Sequence, residues 1–384
     1  MNPHRTRDLI LTVVGCAAVL IYILACASFS PDDSKIVFPS WDPGTWSQSV
    51  AVYDRNARTT EHLLALPLDD LLWVRPGWTP DGRRVIALWG DNSVNDRLQV
   101  ALLPFRFKEP TRVLSVAEYD EIAASMMVPP QILGSYMFLT AKSSVLRLDL
   151  ENGAIKKQEI GDEAQVVVQQ GSVYYGRTLP AAEGSKEDYW QVGRLDANTL
   201  ECTPIFQVPD TEDHGMLAVS RDGSRIAVMG KKDELFHVLV FGGKDLVATI
   251  PFGAPAEKLE PGNLQWSPDA STLYAVYVKP MADGARNQFG VLELPVNGGP
   301  SRQIPLFVVE GDTEDITAFV FQIDLSHDGQ TLAGASTYVW LGEESELKAE
   351  DLALYLIDLT RPDRRVTKIP IPVPPKPKAG MEKK

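Results

Sequence analysis

Five short stretches of the chain repeat one pattern: Phe29-Ser30-Pro31-Asp32-Asp33, Trp78-Thr79-Pro80-Asp81-Gly82, Val219-Ser220-Arg221-Asp222-Gly223, Trp266-Ser267-Pro268-Asp269-Ala270 and Leu325-Ser326-His327-Asp328-Gly329. Each is followed by an apolar β-type run: KIVF, RVIALW, RIAVMG, TLYAVYV and TLAGAS. The chemistry is that of a tight turn. Proline presets φ, aspartate accepts hydrogen bonds from nearby backbone N–H groups, and glycine takes the positive φ that other residues resist. A hydrophobic residue before such a turn and a β-branched run after it make a strand–turn–strand hairpin.

The turn aspartates stand 49, 141, 47 and 59 residues apart. Since 141 is three times 47, two further units of the same length fit between Asp81 and Asp222 without carrying the motif, near GSYMFLTA and GSVYYGRTL. A second series of apolar strands ending in polar turns supports this: AVYDRNARTTEHLLAL, LQVALLPFRFKEPTRVL, VLRLDLENGAIKKQEI, WQVGRLDANTLECTPI, HVLVFGGKDLVATI, GVLELPVNGGPSRQI and ALYLIDLTRPDRRVTKI. Repeats of about 40 to 50 residues, each of four strands, are the signature of a β-propeller. The expected fold is all-β: a single seven-bladed β-propeller of four-stranded antiparallel blades over residues 28–372, with the two degenerate units allowing six to eight. The five motifs resemble the turn of the TolB-type, WD40-like (S-P-D-G repeat) propeller family. Arg221 and His327 depart from it in place of proline, and Asp33 and Ala270 in place of glycine. The resemblance implies partners among cell-envelope proteins. It does not choose a function, because one fold serves many.

The N-terminus carries a different signal. Arg5 and Arg7 precede an uncharged apolar run, Leu9 to Ala27, which reads as one hydrophobic helix, either an export signal peptide or a membrane anchor. The positive-inside bias keeps the arginines cytoplasmic and exports the rest of the chain. Three outcomes stay open. Ile23-Leu24-Ala25-Cys26 resembles a bacterial lipobox, making Cys26 the lipidation candidate; Ala25-Cys26-Ala27 reads as a small-x-small cleavage site; and 19 residues at about 1.5 Å each just span hydrocarbon uncleaved. The tail from 373 to 384, rich in proline and lysine, reads as disordered, with Lys376, Lys378, Lys383 and Lys384 able to touch anionic lipid or a partner.

Candidate chemistry is sparse. The five aspartates Asp32, Asp81, Asp222, Asp269 and Asp328 tempt a metal reading, but a turn aspartate is far more often a backbone acceptor. No metal site and no cofactor is expected, beyond weak divalent-cation binding on an acidic surface. The sequence holds no G-x-S-x-G elbow, no H-E-x-x-H and no Gly-rich phosphate loop. His237 reads as a satisfied structural histidine, while His214 in DTEDHG sits among carboxylates. A lone Cys202 in the body allows no disulfide framework. The net charge of −14 makes nucleic acid an unlikely partner.

Long connections are expected on one face: 39–49, 89–97, 115–130, 179–188, 207–216, 279–288, 308–317 and 341–351. They hold 22 Asp plus Glu against five Lys plus Arg. Such loops carry binding residues on a rigid scaffold. Trp41, Trp46, Trp89 and Trp340, with Glu343 and Glu344, are the partner-binding candidates, packing between blades being the alternative for the tryptophans. The resulting expectation is an exported, membrane-tethered propeller serving as a protein-binding or scaffold module of the bacterial cell envelope. A propeller enzyme, a lyase or hydrolase with metal or substrate in the central channel, is the alternative. The junction poses a geometric question. The apolar run ends where the first strand begins, so either that strand is displaced or the loop-bearing face is held toward the membrane.

Overall fold

The hairpins drawn from the sequence are the building units of the observed fold. The computed structural model describes residues 27–44, 48–66, 71–91, 97–105, 111–118, 130–140, 143–180, 189–208, 213–233, 235–283, 286–310, 322–336 and 351–372. Seven four-stranded antiparallel sheets, each built from consecutive strands, form the blades of a β-propeller. The first blade comprises Ser28–Phe29, Lys35–Trp41, Gln48–Asp54 and Thr59–Leu66, and the seventh comprises Ile323–Leu325, Thr331–Ala335, Ala353–Asp358 and Val366–Pro370. The N-terminal apolar run up to Cys26 and the lysine tail lie outside the described residues. Among the described residues no helix is long and apolar enough to cross a membrane.

The first strand of each blade lies at the hub and the fourth at the rim, because the first strands of successive blades neighbour one another around the axis. Hydrophobic clusters sit between blades. Val37 and Val52 of the first blade pack with Val85 and Ala101 of the second, and Tyr174 and Val192 of the fourth with Val228 and Phe241 of the fifth. Both faces of each sheet are therefore buried, which explains why the second strands read as unbroken apolar runs rather than alternating ones. Lys35–Trp41 is buried at every position after the lysine.

The third and fourth blades lack the S-P-D-G motif because their first hairpins use a shorter turn. Gln169 pairs directly with Ser172, leaving Gln170 at φ 49° and Gly171 at φ 71°, both left-handed as a two-residue type I′ turn requires. In the third blade Leu133 pairs with Tyr136 around Gly134, at φ 59°.

Each first strand is an edge, with backbone groups facing the hub instead of a neighbouring strand. In the first, fourth, fifth and seventh blades polar side chains from an adjacent blade cover some of them. The Gln131 side-chain oxygen accepts from Val168 N–H at 2.7 Å, and Gln165 from Leu217 N–H at 3.0 Å. Asn263 brackets Ile323, donating to its carbonyl at 2.9 Å and accepting from its N–H at 3.2 Å. Trp78 and Trp266 do the same with indole N–H groups, donating to the carbonyls of Ser28 and Ala218. At the closing seam the acceptor is a carboxylate: Phe29 N–H donates to Asp324 Oδ2 at 2.9 Å. No strand is exchanged between the two ends, so the first and seventh blades are joined by side chains and core packing alone. Phe29 and Ile36 share a buried cluster there with Ile323 and Leu332.

Burial pushes the Asp324 carboxyl up to about 6, against hydrogen bonds from Phe29 and Leu325 N–H and the nearby His327, which favour the charged form. An unfolded aspartate titrates at 3.8. The folded state therefore holds the extra proton between these values, so this group's contribution to stability falls as pH rises from about 4 to about 6 and stays low above. Asp324→Asn keeps an acceptor for Phe29 without the charge. It is predicted to exceed the wild type in urea-unfolding stability at about pH 7.5 by on the order of 2 kcal/mol, and to lose that advantage near pH 4. A variant less stable than wild type at pH 7.5 would contradict this assignment.

Candidate functional site

The five turn aspartates make one repeated clasp. In the first blade the Ser30 hydroxyl donates to Asp32 Oδ1 at 2.6 Å, Ser34 N–H donates to the same oxygen at 3.1 Å, and Lys35 N–H donates to Ser30 Oγ at 3.0 Å. The hydroxyl–carboxylate pair recurs at 2.6 Å for Thr79–Asp81, 2.7 Å for Ser220–Asp222, and 2.6 Å for both Ser267–Asp269 and Ser326–Asp328. Hydrogen bonds, first from Ser30 and Ser220 and then from Ser34 and Ser224, hold Asp32 and Asp222 down at about 2. At Asp81 and Asp328 burial opposes ionisation, yet the hydroxyl and backbone donors and the nearby arginines still leave both below the usual range. The turns use these carboxylates to fix backbone geometry.

Around the axis the turns also interlock. Pro31 lies against Gly82 of the second blade, and Pro268 against Gly329 of the seventh, where an added Cβ would stand 2.6 Å from the proline ring. Where the seventh blade meets the first, the pattern is broken on both sides at once. Asp33, at φ 57°, accepts from His327 N–H at 2.8 Å, from Asp328 N–H at 3.0 Å, and pairs with His327 Nδ1 at 2.7 Å. Arg55 reinforces the joint, donating to the Asp33 carbonyl at 2.7 Å and to Thr331 Oγ1 at 2.9 Å. Arg221, a third departure, donates to the His327 carbonyl at 2.6 Å. Three of the four departures from the repeat thus meet at or beside the closing seam.

The remaining candidates divide. Trp41 and Trp89, expected as partner anchors, are each only 7% exposed and pack in clusters between blades, so their rings serve the core. They lie toward the ends of second strands that bury both faces, which leaves no exposed surface for an anchor. Trp46, Trp340, Glu343, Glu344 and Cys26 lie outside the described residues. His237 Nδ1 faces its own strand, 3.0 Å from the Leu235 carbonyl. His214 falls in the strand Asp213–Val219 rather than in a loop. Cys202 is half-buried, and burial pushes its thiol up, away from a reactive thiolate.

One pair has the look of a nucleophile and base: Ser49 Oγ lies 2.9 Å from His62 Nδ1, with Asp42 acting electrostatically on the histidine. Ser49 is fully buried, and burial lowers the His62 pKa. A hydroxyl sealed inside a sheet has no substrate to attack, so the pair serves packing. Among the described residues no group of three or more His, Cys, Asp or Glu is placed to hold a metal ion.

The hub polar set, Gln131, Gln165, Asn263 and Asp324, went unmarked in the sequence. The available signal was a carboxamide or carboxylate inside the first strand of a blade. Several loops are also shorter than expected, because paired strands run on into them: Thr272–Pro280 and Arg286–Pro295 stay in register to the Pro280–Asn287 pair. The ends of the second and fourth strands all point to one face, where the longest connections attach, including 119–130, 311–322 and 336–352. Several of its described acids are paired: Glu257 with Lys279 at 2.9 Å, Asp283 with Arg286 at 2.6 Å, and Asp351 with Lys368 at 2.8 Å.

Similarity to solved structures agrees with this architecture. A chain of the mitotic checkpoint complex is 13% identical, with a TM-score of 0.53 over 82% of this chain and 84% of that one. A structure from an analysis of two prolyl endopeptidases is 16% identical, TM-score 0.50, over 80% of this chain and 46% of that one. TolB from Acinetobacter baumannii is 15% identical, TM-score 0.43, over 70% and 65%. No protein-family model matches the sequence, and no curated protein matches it. At these identities the likeness to the first two shows a β-propeller and nothing finer. Propellers of this architecture include enzymes and non-enzymes alike.

Replacing Asp33 with the repeat's own glycine separates local turn preference from ring closure. Asp33→Gly relieves a left-handed backbone but removes three acceptor contacts at the seam, and is predicted to destabilise by about 1–2 kcal/mol. Ala270→Gly, at φ 54° in the equivalent turn, gains the same relief and loses only a buried methyl, so it is expected within about 0.5 kcal/mol of wild type. Thermal unfolding of the two variants checks this, and equal effects would contradict it.

Proposed function

We propose that this chain is an exported, membrane-tethered β-propeller that acts as a protein-binding or scaffold module of the bacterial cell envelope. The observation that carries the reading is the division between its two faces. On the turn face, hydroxyls, carboxylates and backbone groups are engaged with one another, from the Ser30–Asp32 clasp to the Asp33–His327 joint, leaving little polar capacity for a ligand. The opposite face carries the long connections, and a rigid ring that presents them is the arrangement binding proteins use. Export is supported by the sequence: the Arg-flanked apolar run ends at Ala27, and the very next residues form a paired strand of the first blade.

A photo-crosslinking amino acid placed at exposed Ala282, on the loop-bearing face, and at exposed Ala57, on the turn face, tests the reading in intact cells. Discrete protein adducts are expected from Ala282 and not from Ala57, in the membrane fraction. Adducts of equal yield from both faces, or no adduct together with a stoichiometric divalent metal in the purified protein, would contradict it; the latter result would favour an enzyme working in the channel.

A further inference from the structure

Asparagine followed by glycine is chemically labile, because glycine puts no side chain between its own backbone nitrogen and the neighbouring carboxamide. The chain holds two such pairs, Asn152-Gly153 and Asn297-Gly298. Each lies in the turn between the third and fourth strands of a blade. Asn152 follows Ser144–Asp149 in the third blade, and Asn297 follows Arg286–Pro295 in the sixth. Both asparagines are exposed to water. Sequence alone therefore ranks them equally, and the structure separates them.

The first pair is held at the atoms a reaction would have to move. Asn152 Nδ2 donates to Asp149 Oδ2 at 2.8 Å, Asn152 Oδ1 accepts from Ala154 N–H at 2.7 Å, and Gly153 N–H donates to the Asp149 carbonyl at 2.8 Å. The second blade clamps the same turn. Arg112 donates to the carbonyls of Leu150 and Glu151, and a Cβ on Gly153 would stand 3.3 Å from Leu114. Rotating this carboxamide onto the Gly153 nitrogen breaks several hydrogen bonds at once. Asn297 is placed differently. Its side chain bonds to none of the described residues, and no side chain of another blade bonds the turn 296–299 among them. Gly298, at φ 84°, would place a Cβ with nothing within 4 Å.

We infer that Asn297 is a site of spontaneous covalent modification in the folded protein, converting to aspartate and isoaspartate through attack by the Gly298 nitrogen, while the fold protects Asn152. The Gly298 backbone nitrogen gives its proton to a solvent base and bonds to Asn297 Cγ. The bond from Cγ to Nδ2 breaks, and ammonia leaves. Water then opens the cyclic imide at one carbonyl or the other, which yields aspartate or routes the main chain through the side chain as isoaspartate. Each event adds one negative charge to a chain already at −14. Isoaspartate also lengthens the main chain by a methylene. The blade tolerates both, because the flanks of the turn are fixed independently: Val296 and Leu294 are buried, Val296 N–H donates to the Ser271 carbonyl at 2.9 Å, and Arg302 donates to the Pro362 carbonyl. The inference does not depend on the function proposed above.

The test follows both pairs in one sample. The full-length chain, purified in mild detergent, is aged in mildly alkaline buffer made with oxygen-18 water, either folded or in urea. Cleavage after lysine and arginine places the pairs on separate peptides, 148–156 and 287–302, whose aspartate and isoaspartate forms are resolved by chromatography and mass. In the folded protein Asn297 is expected to convert at least about tenfold faster than Asn152, which corresponds to about 1.4 kcal/mol of added barrier at Asn152. Isoaspartate carrying the heavy oxygen is expected among the products. In urea the two rates are expected to converge, because the bonds that hold Asn152 are gone. Asp149→Ala, which removes the acceptor of Asn152 Nδ2, is expected to speed conversion at Asn152 and leave Asn297 unchanged. Equal rates in the folded protein overturn the inference. So does a rate difference that persists in urea, which assigns it to sequence, or conversion at Asn297 without isoaspartate, which assigns it to direct hydrolysis.

Discussion

The ring depends on a meeting between the Phe29 amide and the Asp324 carboxylate, 295 residues apart in the chain. A closed propeller has to join its first blade to its last. Here every blade is built from its own consecutive strands, so no shared strand ties the ends together. The join is made from contacts used elsewhere around the hub, with two changes: the covering group is a carboxylate where other seams use a carboxamide or an indole, and the neighbouring turns exchange proline and glycine for His327 and Asp33. Folding the seam thus requires the whole chain. The seam joins residues 295 apart in sequence, and such non-local closure is slow.

The two faces arise from the same economy of polar groups. Backbone N–H groups of five turns are covered by the serine– or threonine–aspartate clasps, and hub strands of the first, fourth, fifth and seventh blades by side chains from an adjacent blade. At the other end the second and fourth strands finish and the long connections attach.

Much of the fold was legible in the sequence because the turn motif reports a local requirement. Serine, proline, aspartate and glycine each perform one task within a six-residue turn, and the 47-residue spacing exposes the repeat even where two blades use a two-residue turn instead. The departures were visible as departures, but not their meaning: Asp33 and His327 make sense only once the ring brings them within 2.7 Å. The tryptophans show the opposite limit. Trp41 and Trp89 sit beside loops in sequence, yet each lies in a strand buried on both faces, and sequence position does not distinguish a ring packed between blades from one offered to a partner. Gln131, Gln165, Asn263 and Asp324 were illegible for a similar reason, since the groups they cover belong to the next blade.

Hydrogen exchange at the Phe29 amide tests the central claim most directly. If the first strand is locked into the seam by Asp324, that amide exchanges as slowly as those of Ile226 and Leu273 in the second strands of interior blades. Exchange at the rate of an unstructured peptide, with those second strands still protected, would show that the ring does not close through Phe29 and Asp324.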